Sequence, residues 1–293
     1  MEILKDPSSL AIFGVRGANG VIIITTKKAK EGQTLVNINT SFGFKKVVDK
    51  VKLVNGSQFK ELYNEQLANQ KDDPFDYTGW DANTDWQDEI FQTAFITNNN
   101  ISITGASPKH SFYLGVGYSY EQGNIEHEKF SKVTINASND YKITDFLKVG
   151  FQFNGARMLP ADSKQVLNAL RATPIAPVYN NEYGLYTALP EFQKAQINNP
   201  MVDVELKANT TKAENYRASG NIYGEVDFLK HFTFKAMFSM DYASNNGRTY
   251  TPIVKVYDAT VNGGISTLGT GKTEVSQFKE NETKVQSLSL IHI

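Results

Sequence analysis

The 293-residue sequence contains no cysteine, which excludes a disulfide scaffold and any metal site or nucleophile built on a thiol. It also has no surplus of charge: 30 Lys and Arg against 31 Asp and Glu give a formal net charge of −1. A near-neutral chain has no overall field that would attract nucleic acid. We therefore expect no nucleic-acid partner.

Long hydrophobic runs are missing as well. The longest purely aliphatic run is Val21–Ile24, whereas a membrane-spanning helix needs about 20 apolar residues. Strand-forming aromatics are plentiful by contrast, with 18 Phe and 14 Tyr. A barrel wall in which apolar and polar side chains alternate would give the modest mean hydropathy of −0.38. The composition therefore permits a β-barrel that crosses a membrane with strands.

Both ends of the sequence are unusual. The first residues, MEILKD, have neither the basic nor the apolar region of a secretion signal. Because the features below favour export, we expect Met1 to be an internal methionine of a longer protein. The last residues, LSLIHI, resemble the translation of a transposon adapter used to prepare DNA libraries. We expect residues 288–293 to be a non-native tail.

Apolar and polar residues alternate with period two over most of the chain, which predicts β-strands. The clearest examples lie at 36–44, 112–120 and 232–242, and weaker ones at 98–105, 132–141, 146–156, 215–228 and 271–284. Together they predict about eight strands of the ~10-residue length found in barrel walls.

The predicted connections alternate between tight and long. Tight ones fall at 107–109, 142–145 and 229–231, and long ones at 45–97, 122–131, 157–214 and 244–270. Short turns on one rim and long loops on the other are typical of an outer-membrane barrel. The core of a β-sandwich would explain the alternating side chains, but not the alternating loop lengths.

Helices are also predicted outside the strands. Apolar residues at helical spacing indicate helices over 57–70 and 163–172, inside long connections. A further helix would begin at Asp6 and Pro7 and end at Gly14.

Residues 81–85, DANTD, have the oxygen spacing of a calcium loop. They lack the glycine and the bidentate glutamate that complete such a loop. The preferred alternative is a helix start, in which Thr84 or Asp85 caps a short helix over 86–91 and Gln87 takes the reciprocal capping position.

Other candidates for chemistry are weaker still. Residues 14–20, GVRGANG, could suggest a phosphate loop, but a helix precedes these glycines and a strand follows, which is the reverse of the order such loops need. His110, His127 and His231 lie far apart and lack the i, i+4 spacing of a zinc helix. The sequence predicts no catalytic residue, no metal site and no cofactor.

Residues 4–22, LKDPSSLAIFGVRGANGVI, resemble the plug signature of the SusC/RagA-type TonB-dependent outer-membrane transporters. The chain departs from that signature at Pro7, Phe13 and Val15. These departures leave the signature turn intact, and its residues here are Gly14, Arg16, Gly17, Asn19 and Gly20.

Two further segments resemble the same family. Residues 84–91, TDWQDEIF, followed by 100–105, NISITG, are similar to the first extracellular loop as it returns into the second barrel strand. Residues 216–221, YRASGN, are similar to a later wall strand.

The resemblance implies a mainly β fold, an incomplete antiparallel transmembrane β-barrel with a C-terminal remnant of the plug domain. Residues 1–30 would be the end of the plug, and residues 31–287 the N-terminal part of the barrel with its long extracellular loops. The resemblance further implies that the complete barrel has 22 strands around a plug. We therefore expect an open sheet of about eight strands, with residues 3–27 packed on its concave side.

The resemblance also implies a function, which is TonB-dependent binding and import of a large nutrient, preferably a glycan oligomer, at a Bacteroidetes-type outer membrane. A peptide importer is the alternative, and a non-transporting carbohydrate-binding or adhesion module is a further one. The implied partners are the TonB complex, a SusD-like surface lipoprotein that acts as a lid, the cargo and outer-membrane lipid. No enzymatic activity is implied.

Aromatic side chains in the long connections could contact the cargo or the lid, or could pack the loops together. The candidates are Trp80, Trp86, Tyr179, Tyr183 and Tyr186. On the wall, the alternation predicts that Phe112, Leu114, Val116, Phe234 and Phe238 face lipid, whereas Tyr113, Gly115, Lys235 and Asp241 face the lumen.

Overall fold

A computed structural model of the chain describes residues 2–6, 19–23, 31–161, 166–229, 231–269 and 271–292. The strands are β1 (Glu2–Leu4), β2 (Val21–Ile23), β3 (Thr34–Lys45), β4 (Ala94–Ala106), β5 (His110–Gln122), β6 (Lys129–Lys142), β7 (Leu147–Leu159), β8 (Tyr179–Asn180), β9 (Leu185–Tyr186), β10 (Thr211–Phe228), β11 (Phe232–Thr251), β12 (Val254–Tyr257), β13 (Ile265–Leu268) and β14 (Glu274–His292). The helices are α1 (Gly56–Gln70), α2 (Trp86–Ile90), α3 (Val166–Arg171), α4 (Glu191–Lys194) and α5 (Pro200–Thr210).

Eight long strands form a single antiparallel sheet in the order β14-β11-β10-β7-β6-β5-β4-β3. This order follows the chain, since the strands left out are short and pair among themselves. Each of the eight predicted strands is present, so that prediction is confirmed. Among the described residues β3 and β14 each have a neighbour on one side only, and the sheet is therefore open, as expected.

The strand register collects apolar side chains on one face of the sheet. Val116 of β5 lies opposite Ile101 of β4 and Ile135 of β6, and Phe238 of β11 lies opposite Ile222 of β10. Directly paired residues point to the same face, and residues adjacent in sequence point to opposite faces. The predicted division of the wall residues into two opposite faces is therefore confirmed.

The other face of the sheet carries mainly small and polar side chains. Its cross-strand pairs include Asn100 with Gly117, Asn136 with Asn154, Asn154 with Ser219, Asn221 with Ser239, and Asp241 with Lys284. A sheet with one apolar and one amide-rich face has the surface pattern of a barrel wall around an aqueous interior.

Tight and long connections lie on opposite rims, as predicted. Tight turns occupy 107–109, 143–146 and 229–231, whereas the other rim carries 46–93, 160–210 and 252–273. The connection between β5 and β6 was predicted to be long, and this was wrong. It spans 123–128 because the Gly123 N–H donates to the Glu128 carbonyl over 2.8 Å and closes the loop.

The helix starts follow local capping rules. Asn55 begins α1, since its side chain accepts from the Gln58 N–H at 2.9 Å while its own N–H donates to the Gln58 side chain at 3.1 Å. Asp85 begins α2 by accepting from the backbone N–H groups of Gln87 and Asp88. The predicted helix start at Asp85 is confirmed, and α2 ends one residue earlier than predicted.

The described part of residues 1–30 is a small antiparallel pair, in which β1 pairs with β2. Gly20 precedes β2 with a φ of 96°, a conformation in which glycine is strongly favoured. Gly14, Arg16 and Gly17 of the signature turn, and most of the helix predicted from Asp6, lie outside the described residues. That residues 3–27 pack on the concave side stays a prediction.

Strand β14 continues to His292 and pairs with β11 along its whole length, so residues 288–292 lie within the wall. That residues 288–293 are a non-native tail stays a prediction from the sequence.

None of the helices in the described part of the chain is long and apolar enough to cross a membrane.

Candidate functional site

The long connections fold together into one buried cluster, which we call the loop core. The connection between β3 and β4 contributes Trp80, Trp86 and Ile90, and the short β5–β6 connection contributes Ile125. The connection between β7 and β10 contributes the remainder, namely Ala169, Ala172, Ile175, Ala176, Leu189, Ile197, Met201 and Val204. Segments far apart in sequence therefore form one body at the loop rim.

Trp86 is one of the two tryptophans of the loop core and is only 2% exposed. Its indole Nε1 donates to the Thr173 carbonyl over 2.9 Å. Nearby, the Thr84 hydroxyl donates to the Ala176 carbonyl at 2.7 Å, and the Thr84 N–H donates to the Pro174 carbonyl at 2.8 Å. These bonds fix the segment before α2 against the segment after α3.

Two glutamine side chains bind further backbone groups to the loop core. The Gln87 amide accepts from the Val51 N–H at 3.0 Å and donates to the Val51 carbonyl at 2.7 Å. The prediction that Gln87 completes a capping box was therefore wrong, because its amide is used in this tertiary contact. Gln92 donates to the carbonyls of Gly123 and Ile125. The β3–β4 and β5–β6 connections are thereby joined.

Helix α1 joins the loop core through aromatic side chains. Phe59 and Tyr63 project from α1 onto Phe192 of α4, with ring centroids 6.1 and 4.6 Å apart. Phe75 packs edge-on against Phe192 with centroids 5.3 Å apart. Such pairs contribute roughly 0.5–1.5 kcal/mol beyond the area they bury.

The hairpin formed by β12 and β13 attaches the last long connection to the same body. Val256 of β12 packs against Ala188 and Val202, and the Ala188 N–H donates to the Tyr257 carbonyl over 2.7 Å. Lys194 of α4 donates to the Asp258 carboxylate at 3.1 Å. All the connections on this rim therefore contribute to one folded unit.

Asp258 is a buried carboxylate, and its surroundings favour its charged form. Burial raises the pKa of the Asp258 carboxyl, but hydrogen bonds from Thr260 and the ammonium of Lys194 outweigh it and leave the pKa below its ordinary value. A carboxyl with a lowered folded-state pKa stabilises the fold above its ordinary pKa, and that contribution is lost as pH falls through the folded-state value.

We expect Asp258→Asn to loosen the β12–β13 hairpin by about 1–2 kcal/mol at pH 7, because the charge-assisted bond from Lys194 is lost. Hydrogen exchange of residues 254–268 measures this. Acidification below the ordinary pKa of 3.8 should lower protection in the parent and have little effect in the variant.

The matched control is Asp76→Asn. Asp76 accepts from the N–H and the hydroxyl of Thr78 in the same local geometry, and the structure gives it no lysine partner among the described residues. This control should leave the hairpin unchanged. Equal pH dependence in the parent and in Asp258→Asn would contradict the prediction.

The structure separates the five candidate aromatic residues into two groups. Trp80 and Trp86 are 4% and 2% exposed, so their ring faces are covered by protein and they pack the loop core. Tyr179 and Tyr183 are 44% and 41% exposed. Tyr186 is half-buried, contacts Tyr179 edge-on at 5.4 Å and packs against the loop core. Only Tyr179 and Tyr183 present open ring surface to a ligand.

The polar face of the wall carries a charged cluster near the tight turns. Tyr223 of β10 donates its hydroxyl to Asp140, and Lys235 lies over its ring with the ammonium 4.4 Å from the ring centroid. Lys235 also approaches Glu225 to 3.6 Å. The arrangement offers polar contacts on the polar face but no nucleophile paired with a base.

One further cluster was not predicted from the sequence. His127 of the β5–β6 connection contacts Glu205 of α5 with 2.8 Å between Nε2 and Oε1, and Glu126 lies beside them. Burial raises the pKa of the nearby Tyr186, and the negative charges of Glu205 and Glu126 raise it further. Only the folded chain brings these residues together, since Glu205 lies 78 residues beyond His127.

The chain is similar in sequence to curated TonB-dependent receptors. Receptor P3 of Formosa agariphila is 30% identical over 278 residues, which cover 90% of this chain and 26% of the receptor. The receptor SusC of Bacteroides thetaiotaomicron is 30% identical over 285 residues, 88% of this chain and 27% of the receptor. The chain thus spans about a quarter of the length of these relatives.

Solved structures with the same fold belong to RagAB assemblies. One structure of the RagAB peptide transporter aligns with a TM-score of 0.69 at 20% identity, over 88% of this chain and 33% of that chain. The RagAB peptide importer in its open-open state aligns with a TM-score of 0.66 over 85% of this chain and 32% of that chain. No protein-family model matches the chain.

Proposed function

Because the chain belongs to the SusC/RagA-type TonB-dependent receptors, we propose that the protein of which it is a segment imports a large nutrient across the outer membrane. One observation supports this most directly. The sheet has one apolar and one polar face, and its long connections fold into a single body on one rim. A wall of this kind separates lipid from an aqueous passage and carries a binding platform at one end.

In this proposal the apolar face contacts lipid and the polar face lines the lumen. Phe228 and Phe232 stack beside a tight turn with ring centroids 5.6 Å apart, and the exposed Tyr141 and Phe146 flank another turn. Aromatic residues of this kind form belts at the membrane interface. The loop core then lies on the extracellular side, where a cargo first meets the receptor.

The proposed partners are the TonB complex, which supplies energy from the inner membrane through the plug side, and a SusD-like surface lipoprotein that covers the loop rim. The open edges of β3 and β14 would pair with further wall strands of the barrel.

The proposed cargo is a glycan oligomer. The exposed rings of Tyr179 and Tyr183 lie on the loop side, where flat aromatic faces can stack on sugar rings, and Tyr183 is braced by Tyr257 at 4.9 Å. A peptide is the alternative cargo, as in the RagAB importer of the same fold. A lipid-facing wall would serve no function in a non-transporting carbohydrate-binding module, so this alternative is less favoured.

We expect the double variant Tyr179→Ala with Tyr183→Ala to weaken cargo binding by roughly thirtyfold in the full-length receptor. Each stacking contact contributes on the order of 1 kcal/mol, and two such losses correspond to that factor. Tyr186 is left in place because it packs against the loop core. Affinity is measured by calorimetry with oligosaccharides and with peptides of matched length, and uptake is measured in cells with and without TonB.

The control is Tyr141→Ala, which removes an equally exposed tyrosine near a tight turn on the opposite rim. Heat-modifiable gel migration confirms that each variant is inserted. Unchanged affinity in the double variant would remove the two tyrosines from the binding site. Uptake that persists without TonB would contradict the proposed transport function, and preferential binding of peptides would replace the glycan with the alternative cargo.

A further inference from the structure

Three side chains with metal-binding atoms meet where the β5–β6 connection touches α5. The ligand atoms of Glu126, His127 and Glu205 all lie within 4.8 Å of one another, and His127 Nε2 is 2.8 Å from Glu205 Oε1. One imidazole nitrogen and two carboxylate oxygens are a common ligand set for a divalent metal ion.

Both elements that carry these residues are anchored to the loop core. Ile125, next to Glu126, is 7% exposed, and Val204, next to Glu205, is 3% exposed. The Glu126 N–H donates to the Ile90 carbonyl over 2.9 Å, and the Glu128 N–H donates to the Ile125 carbonyl over 3.3 Å. The packing of the loop core therefore brings together the two backbone segments that carry the three side chains.

The described residues leave the negative charge of the cluster in excess. Two carboxylates lie side by side, and the ion pairs found among the described residues give them a single partner, His127. Carboxylates brought together in this way repel each other, and a bound cation offsets that repulsion. The His127 and Glu205 side chains are 41% and 35% exposed, which leaves an entry path and room for water ligands.

We infer that Glu126, His127 and Glu205 bind a divalent transition-metal ion of the zinc type, which fastens the β5–β6 connection to α5. The imidazole favours zinc-like ions over calcium and magnesium, which take oxygen ligands. Three protein ligands leave one tetrahedral position for water. The ion joins two separate connections of the loop rim and stabilises their contact.

The geometry needs only small side-chain adjustments. Bonds of about 2.0–2.2 Å in a tetrahedral site place the ligand atoms roughly 3.3–3.6 Å apart. The distance between His127 Nε2 and Glu205 Oε1, now 2.8 Å, must increase slightly. The other distances between ligand atoms, at most 4.8 Å, must decrease. Rotation of the half-buried glutamate side chains supplies this movement without a change in the backbone.

The test uses the full-length receptor, stripped of metal by a chelator and titrated with Zn²⁺ by calorimetry. Glu126→Gln is the decisive variant, because it removes one ligand and leaves the His127–Glu205 contact in place. Its Zn²⁺ affinity should fall by at least about tenfold, since even the outer hydrogen-bond partners of metal ligands contribute about 10- to 100-fold. His127→Ala should show a similar loss.

The control is His231→Ala, an exposed histidine in a tight turn on the opposite rim. It should retain the parental affinity. Hydrogen exchange provides a second readout, in which Zn²⁺ should protect residues 123–128 in the parent and not in Glu126→Gln. Equal Zn²⁺ affinity and protection in parent and Glu126→Gln would show only a His–Glu ion pair and would overturn the inference. Binding of Ca²⁺ in preference to Zn²⁺ would also overturn it.

Discussion

Trp86→Ala is expected to destabilise the loop core by about 3–5 kcal/mol, the usual cost of removing a large buried aromatic side chain. The variant leaves a cavity where the indole was and removes the donor to the Thr173 carbonyl. Because the loops can open without unfolding the wall, the effect should be local. Hydrogen exchange of residues 169–204 should accelerate by roughly 10²- to 4 × 10³-fold.

Two further variants separate the causes of that effect. Trp86→Phe keeps most of the ring volume but loses the N–H donor. It should therefore destabilise the loop core by only about 1–3 kcal/mol. Leu167→Ala changes an exposed side chain on α3 and should leave exchange almost unchanged. If Trp86→Ala exchanged no faster than Leu167→Ala, the loop core would not depend on the indole.

The wall could be predicted from the sequence because its physical signal is local. A strand that contacts lipid on one side and water on the other must alternate its side chains, as Phe112 to Tyr120 do in β5. The ends of the strands carry no such signal. Strand β11 was predicted to end near 242 but continues to Thr251, because Asn245 and Asn246 keep their backbone pairs with β10 and β14.

The loop core could not be predicted, because its contacts join residues that are remote in sequence. Trp86 meets Thr173, which lies 87 residues further along, and no spacing rule connects them. Gln87 shows how a local rule can mislead, since its position fits a capping box while its amide binds Val51. Where local and tertiary partners compete, the pattern of the sequence alone does not decide between them.

The sequence predicted that tyrosines of the long connections could contact a ligand. It did not predict which of these tyrosines are exposed. Tyr179 and Tyr186 belong to the same small hairpin, yet only Tyr179 is exposed, because Tyr186 turns toward the loop core. The cluster at His127 was missed for the same reason as the contacts of Trp86. Glu126 is adjacent to His127 in sequence, but Glu205 lies on a different connection, 78 residues beyond the histidine.

Phe238→Arg is expected to destabilise the full-length receptor in a bilayer by about 2–4 kcal/mol, the cost of a lipid-facing arginine near the midplane. On β11 the apolar face runs from Phe232 to Tyr242, and Phe238 lies near its centre. At roughly 3.3 Å per residue and a tilt of ~45°, that stretch spans the ~25 Å apolar band of an outer-membrane barrel.

The matched control is Ser239→Arg, one residue further along the same strand. Ser239 pairs with Asn221 of β10 and Gln286 of β14 on the polar face, where water and amide groups can solvate a guanidinium. Ser239→Arg should lower the free energy of unfolding much less than Phe238→Arg does, as measured by a reversible unfolding titration in lipid vesicles. Equal costs for the two variants would mean that both faces meet the same environment, and the apolar face could then not be the lipid-facing one. A larger cost for Ser239→Arg would reverse the orientation and place the polar face outward, which no barrel in a bilayer could tolerate across its hydrocarbon core.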